Sequence, residues 1–68
     1  MSNYEYVLED SGREVDRGRL YREADPKVGE PLFGTPDAVW VISRVEPALM
    51  KDIAATVYCS PVNPNAVI

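Results

Sequence analysis

Sixty-eight residues are enough for one small domain, which hides only about 60% of the surface its unfolded chain exposes. A core of that size supplies roughly 3 to 5 kcal/mol unless a disulfide, a metal or a partner subunit adds to it. One cysteine, Cys59, excludes an internal disulfide, and the lack of histidine removes the usual general base, proton shuttle and zinc ligand. Eleven Asp and Glu against seven Lys and Arg give a net charge of −4, which repels polyanions at long range.

The first residues, Met1-Ser2-Asn3-Tyr4-Glu5, lack the basic start and apolar stretch of a secretory signal. Tyr4 to Glu9 alternates, with Tyr4, Tyr6 and Leu8 on one side and Glu5, Val7 and Glu9 on the other. This is the pattern of a half-exposed strand. Asp10-Ser11-Gly12 then fits a three-residue hairpin loop closed by a left-handed glycine. That loop sets Glu9 opposite Arg13, Val7 opposite Val15 and Glu5 opposite Arg17, so unlike charges face each other. A two-residue loop of Ser11-Gly12 would instead set Glu9 against Glu14, so the first register is preferred.

Arg13 to Arg22 reads as the second strand, and Gly18 inside it suggests a bulge that leaves open whether Leu20 or Tyr21 enters the core. Glu23 to Pro31 carries Pro26, Gly29 and Pro31 amid charges and reads as a connecting loop. Leu32 and Phe33 form a short strand that ends in the turn Gly34-Thr35-Pro36-Asp37. The strongest strand signal is Ala38 to Val45, a β-branched run around the only tryptophan, apolar on both faces before Ser43 and Arg44. Its longest apolar stretch, Ala38 to Ile42, is far short of the ~20 residues of a membrane-spanning helix, so a cytoplasmic address without a membrane partner is expected.

Leu49, Ile53 and Val57 keep helical spacing and Pro47 suits a first helical position. However, Ile53 to Cys59 also alternates, and Thr-Val-Tyr-Cys is poor helix material. The reading adopted is one helical turn at about Pro47 to Lys51 followed by a strand from Ile53 to Cys59. Pro61, Pro64 and the asparagines make the end an extended tail. The expected fold is therefore all-β and mainly antiparallel: a small five-stranded barrel or roll of the SH3-like kind over residues 1–60, with a tail over 61–68. The alternative is an α+β fold with a helix over 47–58.

No constellation of residues marks an active site. Tyr4-Glu5-Tyr6 followed by Glu9-Asp10-Ser11-Gly12 resembles the opening of small zinc-ribbon proteins, but Leu8 and Ser11 stand where the thiolates would be and no second cysteine pair follows. Asp10, Glu14 and Asp16 do not make a calcium loop either, because Val15 and Tyr21 occupy the positions that need glycine and a bidentate glutamate. Cys59 closes an apolar strand with no base beside it. Neither cofactor nor metal is expected.

Two surfaces stand out. Trp40 and Ile42 share one face of the central strand and, with Phe33 and Tyr58, form a candidate interface: either a barrel closes over them or a second copy covers them. Arg13, Arg17, Arg19 and Arg22 form a candidate polar surface, which with Tyr4, Tyr6 and Tyr21 resembles a single-strand nucleic-acid platform. The interleaved Glu5, Glu9, Glu14 and Asp16 neutralise it. The function expected from the sequence is a non-enzymatic interaction module of bacterial or phage type, binding another protein and self-associating as a homodimer. The alternatives are an acidic decoy using Glu23, Asp25, Glu30, Asp37, Glu46 and Asp52 against a basic nucleic-acid-binding surface, or weak single-strand binding by the Arg and Tyr hairpin.

Overall fold

The computed structural model describes residues 2–34, 38–48 and 50–62. Five strands, β1 (Ser2–Asp10), β2 (Arg13–Arg22), β3 (Pro31–Gly34), β4 (Val39–Pro47) and β5 (Ala55–Val62), form one sheet in the order β2-β1-β5-β4-β3. Three of the neighbouring pairs are antiparallel, while β1 and β5 run parallel at the centre. The sheet curls into a half-barrel, as the all-β reading of the sequence requires. In a flat sheet β1 and β3 would lie ~14 Å apart, three strand spacings. The curl instead brings the Tyr6 and Phe33 rings to a centroid distance of 4.8 Å, tilted at 58°.

The inner face of the curl holds the core. Tyr4, Ile42, Val57 and Cys59 are its buried centre, and Leu8, Leu20, Leu32, Trp40 and Ala55 pack against them. Ile42 and Val57 are fully enclosed, and burial of such a side chain stabilises by about 1.5 to 3 kcal/mol. The Tyr4 hydroxyl donates to Asp25 Oδ1 at 2.9 Å, tying the connection after β2 across the core. That connection is fastened further along: the Gly29 N–H donates to the Ile42 carbonyl at 2.8 Å, the Ile42 N–H donates to the Glu30 carbonyl at 2.9 Å, and Arg22 meets Glu30 at 2.7 Å.

The hairpin register differs from the sequence-based expectation. Ser11 (φ 55°) and Gly12 (φ 78°) both lie in the left-handed region, as a two-residue type I′ turn requires. Asp10 therefore faces Arg13 and Glu9 faces Glu14. The like-charged pair is tolerated because each carboxylate finds a cation elsewhere: Glu14 binds Arg17 at 2.7 Å and Glu9 binds Arg44 of β4 at 3.2 Å. Val15 is then an extra residue that shifts the pairing, so that Val7 faces Arg17 and Glu5 faces Arg19. The bulge sits there and not at Gly18, which pairs regularly with Tyr6. Gly18 serves a different purpose. A Cβ on it would lie 2.5 Å from the Tyr6 hydroxyl, so only glycine lets that ring lie across β2. Leu20 joins the core, and Tyr21 is left 61% exposed.

The expected helical turn at 47–51 does not form among the described residues, and neither does the alternative helix over 47–58. Pro47 ends β4 opposite Ala55, and a turn at Lys51-Asp52 leads back, with the Ile53 N–H donating to the Met50 carbonyl at 3.3 Å. Strand pairing on both sides of β5 outweighs the helical spacing of Ile53 and Val57; Leu49 lies outside the described residues. β5 also continues past Cys59 through Pro61 and Val62, so these two residues belong to the sheet and not to the expected tail. The rest of the expected tail, residues 63–68, and residues 35–37 of the expected turn lie outside the described residues.

Candidate functional site

Residues paired across neighbouring strands share a face, so the register fixes the outer face row by row. One row runs Arg17, Val7, Tyr58, Arg44, and the next runs Arg19, Glu5, Thr56, Glu46. Arg44 reaches this face because of a second irregularity. Between Ile42 and Arg44 the pairing with β5 slips by one residue at Ser43, whose hydroxyl donates to the Tyr58 carbonyl at 3.1 Å. Without that extra residue the alternation of β4 would aim Arg44 inward. Instead its guanidinium lies 3.8 Å from the Tyr58 ring centroid, with Glu46 at 2.8 Å and Glu9 at 3.2 Å. Val7 is buried within this polar surface at 2% exposure.

A shallow groove of ≈ 440 Å³ opens on this face, lined by Glu5, Arg17, Glu46, Met50, Thr56 and Tyr58 among others. Hydrogen bonds from Arg17 to Glu14 and from Arg44 to Glu46 push both guanidinium pKa values further up, so these cations persist throughout the accessible pH range. Farther along, the outer face turns apolar, with Val39 paired to a half-exposed Val62 and Val41 paired to Ser60.

The sequence-predicted interface residues separate. Trp40, Ile42 and Phe33 lie on the inner face, where Ile42 is 1% exposed and Phe33 packs tilted against Tyr6. Tyr58 lies on the outer face under Arg44. The arginines divide as well. Arg17 and Arg19 project from the outer face, Arg19 meeting Asp52 at 3.6 Å, while Arg22 is held against Glu30 and Arg13 stands beside the turn. Tyr4 and Tyr6 point inward and Tyr21 outward, so the hairpin does not gather its aromatics and arginines on one platform. Cys59 is fully buried, and desolvation pushes its thiol from 9.0 up to about 11, the reverse of what a nucleophile needs. Among the described residues no group of three His, Cys, Asp or Glu side chains converges to hold a metal.

The most accessible element is an edge. β2 ends the sheet, with β1 on one side and, among the described residues, no strand on the other. It runs for ten residues, and Arg13 to Arg17 are all exposed. The opposite edge, β3, has four residues and begins at Pro31, a short edge of the kind that resists strand pairing. The edge position of β2 is not legible in the sequence because it depends on β5 inserting beside β1. No local pattern reveals that parallel pairing.

Compared with known families, curated proteins and solved structures, the chain matches none.

Proposed function

We propose that this chain is a non-enzymatic protein-interaction module that takes a partner's extended segment onto the outer edge of β2. The observation that carries the proposal is the asymmetry of the two sheet edges: among the described residues a ten-residue strand is open at one end and a four-residue, proline-headed strand closes the other. An open edge offers a row of backbone donors and acceptors, and strand addition uses them for affinity while side chains at alternate positions give selectivity. The buried thiol and the arginine-bound carboxylates of the outer face favour binding over catalysis.

Two other readings draw less support. As an acidic decoy the chain would need uncompensated carboxylates, yet Asp25 accepts from Tyr4, Glu30 holds Arg22 at 2.7 Å and Glu46 holds Arg44 at 2.8 Å. As a single-strand nucleic-acid binder it would need aromatics beside the arginines, and two of the three hairpin tyrosines face the core. Self-association would use surface other than Ile42, which the chain's own core encloses.

The test is selection of binding peptides from a display library, followed by amide hydrogen exchange of the chain with each selected peptide. Slowed exchange along Arg13–Arg22 is the expected result. Peptides that bind without protecting those amides overturn the reading.

A further inference from the structure

Building on strand addition at β2, we infer that the segment accepted there is acidic: an extended strand with carboxylates two residues apart that face Arg17 and Arg19, flanked by an apolar residue against Tyr21. The chain as a whole is acidic at −4, yet β2 carries Arg13, Arg17, Arg19 and Arg22 against only Glu14 and Asp16. After the Val15 bulge the strand alternates regularly. Arg17, Arg19 and Tyr21 line its outer face, while Gly18 and Leu20 turn toward the core. A partner strand laid on the edge would therefore meet Arg, Arg and Tyr at successive outward positions. Their existing partners leave them available: the Arg17 and Arg19 side chains are 56% and 62% exposed, and ion pairs that open to water are weak and exchangeable.

A second copy is the poorer occupant. An antiparallel copy that continues the sheet places outer residues opposite outer residues. Registers centred on Arg17, Gly18 or Arg19, which use most of the strand, then set arginine against arginine. Like charges directly opposite destabilise a pair, and opposite charges stabilise it. The same arginines that discourage β2 from pairing with itself thus select for carboxylates.

The experiment titrates the full 68-residue chain with two blocked, extended heptapeptides, one alternating threonine with glutamate and one alternating threonine with lysine. Affinity is read from amide chemical shifts, and the site from hydrogen exchange. The glutamate peptide is expected to bind about tenfold more tightly than the lysine peptide, an order of magnitude set by two cross-strand charge pairs changing sign. Its binding should weaken with salt and slow exchange along β2. The double variant Arg17→Glu/Arg19→Glu should reverse the preference, and Arg17→Gln/Arg19→Gln should abolish it, each with an otherwise unchanged amide spectrum. If the lysine peptide protects β2 equally well or better, strand addition stands and the acidic partner is wrong. Concentration-dependent protection of β2 without peptide makes a second copy the occupant and likewise overturns the inference. If neither peptide protects β2, strand addition fails with it.

Discussion

The two faces of this sheet are built from the same five strands, and they solve the problem of coverage in opposite ways. The inner face covers itself: the curl lets Tyr6 of β1 reach Phe33 of β3, and Ile42, Val57 and Cys59 vanish beneath. The outer face stays in water and is balanced by charge, with Arg44 between Glu9 and Glu46 over Tyr58 and Arg17 beside Glu14. Apolar contacts strengthen as water leaves, so the inner face carries stability. Exposed ion pairs contribute little, which leaves the outer face and its β2 edge adjustable with little penalty to the fold.

Four measurements test this contrast. Ile42→Ala should do most harm, losing about 2 to 5 kcal/mol, which rivals the whole stability of a domain this size; far-UV circular dichroism should show a largely unfolded chain. Gly18→Ala comes next. Its methyl would strike the Tyr6 ring, and overpacking of this kind costs about 1 to 3 kcal/mol, visible in urea titration as a lower midpoint with altered near-ultraviolet tyrosine signal.

Raising the pH should weaken the inner face in particular. Burial raises the Cys59 thiol to about 11, and the hydrogen bond to Asp25 raises the Tyr4 hydroxyl above its usual 10.0. For both groups the unfolded chain loses its proton first. The Cys59 contribution is therefore intact below pH 9 and lost as pH climbs through about 11, and that of Tyr4 is intact below its usual 10.0 and lost above its raised value. Urea midpoints measured from neutrality upward should fall over that window, and a flat profile would contradict the burial of Cys59. The smallest effect belongs to the outer face. Arg44→Met removes the stacking on Tyr58 and two exposed ion pairs, contacts that contribute little in water, so the urea midpoint should barely move; a loss as large as that from Ile42→Ala would erase the distinction between the faces.

What the sequence made legible was local. The Trp40 strand, the span Arg13 to Arg22 and the opposite facings of Trp40 and Val41 all follow from alternation and β-branching, which need only neighbouring residues. The hairpin register is not legible locally, because charges paired within the hairpin alone favour the three-residue loop, whereas Glu9 is satisfied by Arg44 from β4. The helical turn expected at 47–51 does not form among the described residues: Pro47 satisfies a helix start and a strand end equally well, and only the pairing with Ala55 decides between them. The outer-face rows and the open edge of β2 were out of reach for the same reason: both depend on β5 lying beside β1.

That placement has a consequence in time. Tyr4 pairs with Ala55, 51 positions further along the chain, so the seam down the middle of the sheet joins its first and last strands. Contacts of such long sequence separation slow folding. Until β5 arrives, the β1 edge that will receive it is open to whatever other strand is near, and the hairpin of β1 and β2 must wait as a two-stranded ribbon that is barely stable in water. Refolding should accordingly be slow for so short a chain.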